Sequence, residues 1–166
     1  MSGFAIRYTF MREDGKKNTI KKMHYTNFIT RCLFPRKAEL YALDIPTGIT
    51  AIENFAFHGC PKLKKITLHD GLKVIYLGAF EDCPELEEIS IPKTVESIGR
   101  DAFKGCTKLK VIKVYSPYIY IDQTAFEEGV EIQYMTWKCN LGAGVIPAPF
   151  LYCGKIDFLF YILQKL

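Results

Sequence analysis

No run of about 18 consecutive apolar residues occurs in this 166-residue sequence, so nothing in it reads as a membrane-spanning helix. The nearest candidate, Phe158 to Leu163, is far too short. The first ten residues lack the apolar core of a secretory leader, and Arg7 and Arg12 break the segment, which makes a cytoplasmic location the default expectation. Also missing are Cys-x-x-Cys, His-Glu-x-x-His, a Gly-rich phosphate loop and Gly-x-Ser-x-Gly, the usual marks of thiol redox, zinc peptidase, nucleotide and serine hydrolase chemistry. Histidine is scarce, with His24, His58 and His69 alone. His58 lies two residues from Cys60, a spacing that invites a metal or thiol site. One repeat and two repeats later the same place holds Glu81 and Lys104, as expected of a solvated corner. The acidic pairs Glu87-Glu88 and Glu127-Glu128 are sequence neighbours, which on a strand face opposite ways. With no convergent set of acids, bases or ligands, no catalytic residue, cofactor or metal ligand is assigned, and the expectation is a chain that is not an enzyme.

What the sequence does have is a period. Ala56-Phe57, Ala79-Phe80, Ala102-Phe103 and Ala125-Phe126 recur every 23 residues, a spacing that signals stacked structural repeats. Leu63, Leu86 and Leu109 open the units, with Ile132 in the same place later; Ile66, Ile89, Ile112 and Met135 follow three residues on, then Leu68, Ile91, Val114 and Trp137. The last two columns share one face of a short strand, and the residues between them point the other way. Ile49, Leu72, Val95 and Tyr118 come next, then Ile52, Ile75, Ile98 and Ile121. These apolar columns predict a wedge that only a neighbouring unit can cover. Gly59-Cys60-Pro61, Asp82-Cys83-Pro84 and Gly105-Cys106-Thr107 close the units with small, turn-forming residues. Cys60, Cys83 and Cys106 are in phase and read as buried free thiols, whereas Cys32, Cys139 and Cys153 are not. An earlier, degenerate unit shows in Ile29, Phe34, Leu40, Leu43 and Ile45, each one period before a core residue.

The units Leu63 to Cys83 and Leu86 to Cys106, read as L-x-x-I-x-[LI]-[HP]-x-[GT]-[LV]-x-x-I-x-x-x-A-F-x-x-C, resemble the BspA-like, or treponemal, class of leucine-rich repeat. The resemblance implies a member of the α/β repeat class that is predominantly β: a right-handed solenoid with short strands on its concave face. It also allows a cell-surface or secreted location, since such proteins serve mostly as binding or adhesion modules. Three regions are expected: a capping hairpin over 1–31, a solenoid of about four to five units over 32–139, and a C-terminal loop and cap over 140–166. The hairpin follows from the alternation Phe4 to Phe10, a turn at Glu13 to Lys17 and a return over Thr19 to Tyr25. Either end of a solenoid exposes core and needs such cover.

Function is then sought on the columns that do not repeat. The outward positions expected to bind a partner are Lys65, Thr67, His69, Glu88, Ser90, Lys113, Tyr115 and Tyr134. Tyr115, Tyr120 and Tyr134 are expected to form a contact patch, because tyrosine offers area and a hydroxyl at low entropy cost. The leading expectation is a non-catalytic module that binds a protein or peptide on the concave strand face. The alternative uses charge: residues 1–38 carry nine Lys or Arg against Glu13 and Asp14, whereas 39–140 carry fifteen acidic against eleven basic residues. That basic N-terminal segment, with Arg7, Arg12, Lys16, Lys17, Lys21 and Lys22, would bind nucleic acid or an anionic surface, though no nucleic-acid motif accompanies it.

Overall fold

The structure, a computed structural model, describes residues 4–11, 15–31, 33, 37–116 and 118–135. The strands in chain order are β1 (Phe4–Met11), β2 (Lys17–His24), β3 (Phe28–Ile29), β4 (Leu40–Ile45), β5 (Ala51–Ile52), β6 (Lys65–Leu68), β7 (Val74–Ile75), β8 (Glu88–Ile91), β9 (Ser97–Ile98), β10 (Val111–Val114), β11 (Tyr120–Ile121) and β12 (Glu131–Tyr134). One turn of 3₁₀ helix, Lys37–Glu39, precedes β4, and among the described residues no helix is long and apolar enough to cross a membrane.

Each 23-residue unit gives one long and one short strand, and these fall into two sheets. The long sheet has the order β12-β10-β8-β6-β4-β1-β2 and the short one β11-β9-β7-β5-β3. Within the repeats all pairing is parallel, one unit to the next, as Leu43↔Ile66, Ile112↔Ile89 and Ile52↔Ile75 show. This is a β-solenoid of the expected repeat class. The hairpin enters antiparallel: β1 pairs with β2 along its length and with β4 through Arg7↔Asp44 and Thr9↔Ala42. Its Ile6 and Phe10 are buried and cover the first coil.

The core is the set of repeating columns, with Leu40, Leu63, Leu86 and Leu109 all buried. Phe57, Phe80 and Phe103 are fully buried and stack with Phe126 in one spine, their ring centroids 5.1, 5.2 and 5.1 Å apart and near-parallel. Offset stacks of this kind add to the burial of the rings themselves. The corner that carries the spine also makes a third hydrogen-bond ladder. The amides of Phe57, Phe80 and Phe103 donate to the carbonyls of Ala79, Ala102 and Ala125 in the following coil. The carbonyls of Phe57 and Phe80 accept from the thiols of Cys83 and Cys106, at 3.3 and 3.2 Å, so cysteine sits where a small donor must reach a buried carbonyl. Cys60, Cys83 and Cys106 are free and buried, as the period implies. The neighbouring Cys83 thiol, followed by burial, raises Cys60, and the bond to Cys106 followed by burial pushes Cys83 up to about 12.

The tight corner needs left-handed backbone at two places per coil, filled by Phe55, Gly78 and Asp101 and by Gly59, Asp82 and Gly105. At Gly78 and Gly105 a second reason holds, because a Cβ there would fall 2.5 Å from the Phe55 ring and against Asp82 Oδ1. Glycine at these two places therefore serves both the left-handed backbone and the space taken by the preceding coil.

The last unit departs from the 23-residue register. Ile132 pairs with Ile112 and Tyr134 with Val114, a step of 20, because the chain reaches β12 three residues sooner after Phe126. Ile132 therefore occupies the Ile112 column and not that of Leu109, Tyr134 takes the place expected for Trp137, and Met135 is exposed. A smaller slip moves Tyr118 out of the core to 65% exposure, with Ile119 buried in its stead. Just before the slip Ser116 is buried, its hydroxyl donating to the Val95 carbonyl at 2.6 Å. The expected C-terminal loop and cap, with Cys32, Cys139, Cys153, Phe34 and Trp137, lie outside the described residues.

Candidate functional site

Alternation along the long strands sends every second residue to the outer face of the sheet. One row across it reads Thr19, Thr9, Ala42, Lys65, Glu88, Val111 and Glu131. The next reads Lys21, Arg7, Asp44, Thr67, Ser90, Lys113 and Gln133, with Thr67 and Ser90 juxtaposed by the 23-residue step. Lys65, Thr67, Glu88, Ser90 and Lys113 thus share one surface. His69 and Tyr115 stand one position past their strands, and Tyr115 is 39% exposed. Tyr134 is different: it lies in the inward column opposite Val114, packs on the core, and loss of water raises its phenol pKa. Tyr120 is exposed on the short sheet. Tyr115, Tyr120 and Tyr134 therefore do not meet as a patch.

Two adjoining hollows lie on this surface and share Leu68 and Ser90. The larger, about 630 Å³, is lined among others by Lys17, Tyr41, Lys65, Ile66, Thr67, Glu88 and Ile89, and the smaller, about 340 Å³, by His69, Pro92, Lys93 and Tyr115. They follow the seam between β6 and β8, whose ladder holds the single pair Lys65↔Glu88 where the ladders on either side hold four. Ile66 at 5% and Leu68 at 9% are less covered than their counterparts in the coils on either side, Leu43 and Ile89 at 2% each and Ile45 and Ile91 at 1% and 0%. The seam thus brings core side chains to the outer face as an apolar floor.

Polar side chains around the seam are held in place. His69 Nε2 and Asp44 Oδ1 are 2.8 Å apart, and Arg7 Nη1 approaches Asp44 Oδ2 at 3.7 Å. Lys17 Nζ stands 4.2 Å from the centroid of the Tyr41 ring, a cation–π contact between hairpin and first coil. Among the described residues no hydrogen bond joins His69 to Ser90. Away from the site, His58 is half-exposed at the corner, with Nδ1 3.5 Å from Glu81 Oε2.

Two features escaped the sequence reading. Charges oppose one another one coil apart: Lys64–Glu87 at 2.9 Å, Asp70–Lys93 at 3.2 Å, Lys73–Glu96 at 2.8 Å and Glu85–Lys108 at 2.7 Å. The signal was available as opposite signs 23 residues apart. Exposed pairs of this kind are screened by water and salt and add little to stability. The second feature is that Arg7, Lys17 and Lys21 of the hairpin belong to the same face as Lys65. The two functional expectations, strand face and basic segment, converge on one surface.

A family model described as BspA type leucine rich repeat region (6 copies) matches residues 27–153. Among solved structures the chain is similar to a leucine-rich repeat protein of Bacteroides ovatus, with 25% identity, a TM-score of 0.54, and 81% of this chain and 40% of that one covered. It is also similar in fold to a leucine-rich cell surface protein of Faecalibacterium prausnitzii, with 22% identity, a TM-score of 0.57, and 80% and 38% covered. The chain thus spans about two fifths of the length of these structures. A comparison with curated proteins finds no match.

Proposed function

We propose that this chain, which belongs to the BspA-type leucine-rich repeat family, is a non-catalytic interaction module that binds a protein or peptide on the outer face of its long sheet. Repeats of this family generally serve in interaction or surface roles, and one of the similar structures is a cell surface protein. The observation that carries the reading is the seam between β6 and β8, where an apolar floor of Ile66, Leu68 and Ile89 opens among side chains that change from rung to rung. Apolar area supplies affinity, and polar groups of fixed position supply selection. Lys65, Glu88, Lys113 and Tyr115 are the residues to test. Alanine at all four removes side chains at the rim of the seam (Lys65, Glu88, Tyr115) and on the neighbouring strand (Lys113) without touching the buried columns, so the fold should persist while partner capture falls. A quadruple variant that melts like the parent and recovers the same partners in the same amounts would place the function elsewhere.

A further inference from the structure

The hairpin end of the long sheet carries more cations than the carboxylates of the described residues pair with. Arg7 and Lys21 are directly opposed in the β1–β2 ladder, and like charges facing each other across strands are destabilising. The nearest carboxylate in their row, Asp44, is shared by Arg7 and His69. No carboxylate of the described residues pairs with Lys17 or Lys21; Lys17 rests on the Tyr41 face alone. Lys65 adds a fourth cation two strands from Arg7, at the edge of the apolar seam. A sheet edge rich in lysine also resists pairing with a further strand, which leaves the face, and not the edge, as the surface offered.

Resting on the interaction-module reading above, we propose that this face receives an extended acidic peptide. Its carboxylates lie over Arg7, Lys17 and Lys21, and a neighbouring apolar side chain sits in the seam at Ile66 and Leu68. The spacing suits such a ligand. From β2 to β6 is three inter-strand steps, about 14 Å, and an extended peptide presents same-face side chains about every 7 Å. Two or three carboxylates in alternation therefore span the cationic rows. Nucleic acid fits less well, because a polyphosphate needs an unbroken cationic track. Here Asp44, Glu87 and Glu88 interrupt it.

The test is fluorescence anisotropy with the whole chain and a labelled twelve-residue probe of alternating glutamate around a central leucine. A lysine-for-glutamate probe, a serine-for-glutamate probe and a single-stranded oligonucleotide are run beside it. The acidic probe should bind best, should weaken as salt rises from about 0.05 to about 0.3 M, and should lose about tenfold or more in affinity on Lys17→Glu with Lys21→Glu. Lys62→Glu, an exposed corner residue, should change nothing. Lys17→Gln with Lys21→Gln gives the same reading, at smaller amplitude, should the reversed charges disturb the hairpin. Unchanged binding in both double variants overturns the proposal, as does tighter binding of the lysine probe, the serine probe or the oligonucleotide. Should the proposal fail while the Lys65, Glu88, Lys113 and Tyr115 alanine variant still loses its partners, the interaction module stands with a different ligand. Should both fail, the strand face is not the site.

Discussion

Replacing Phe80 by alanine probes the feature on which the stack depends. Its ring is fully buried and lies between Phe57 and Phe103, with centroids at 5.1 and 5.2 Å. A phenylalanine buries roughly 150–250 Å². At about 25 cal/mol per Å² that area is worth some 4–6 kcal/mol, of which the remaining methyl keeps a part. The expected loss is therefore about 3–5 kcal/mol, in line with large-to-small changes in cores, and the backbone bonds of the corner leave the cavity little room to collapse. Phe126 ends the spine with one stacked neighbour and is only partly buried. Phe126→Ala should cost roughly half as much, about 2 kcal/mol. Urea unfolding of the two variants, followed by circular dichroism, reads the difference directly. Equal losses, or a Phe80→Ala loss below about 1 kcal/mol, would refute the spine as a graded, neighbour-coupled element.

Other outcomes follow from the same geometry. Ile119→Ala should cost about 2–4 kcal/mol while Tyr118→Ala stays within about 0.5 kcal/mol, and the reverse order in thermal melts would restore the even 23-residue register. Gly78→Ala should destabilise by more than about 1 kcal/mol, since a side chain there is both left-handed and against the Phe55 ring; pairing it with Phe55→Gly should recover part of the loss, and strictly additive effects would contradict the contact. Cys83 has a folded pKa of about 12 against an ordinary 9.0, so its contribution to stability is complete below pH 9 and is lost as pH rises toward 12. Unfolding midpoints should therefore fall more steeply above pH 9 in the parent than in Cys83→Ala, and parallel curves would count against this. Lys73→Ala with Glu96→Ala in a double-mutant cycle should return a coupling of about 0.2–1 kcal/mol that salt removes.

The 23-residue period by itself determined the coil, its buried columns and the Ala-Phe spine, because each inward position meets its own copy one coil away. Burial of Leu63, Ile75 or Cys83 is thus written in composition that recurs, and hydrophobic free energy enforces it at every step. The hairpin was legible for a related reason, since alternation from Phe4 to Phe10 fits a strand with one covered face. The same logic failed at Tyr118 and Tyr134. A uniform period cannot register that Ser116 is buried and bonds Val95, or that the chain reaches β12 three residues early, since neither changes the apolar pattern. The surface was legible only as a list of outward residues. Which of them share a face depended on how β1 meets β4, and antiparallel pairing of Arg7 with Asp44 is a contact between segments 37 residues apart that no local signal encodes. The opened seam at Ile66 and Leu68 came from the same source, since a strand ladder is weakened or completed by its neighbours and not by its own sequence.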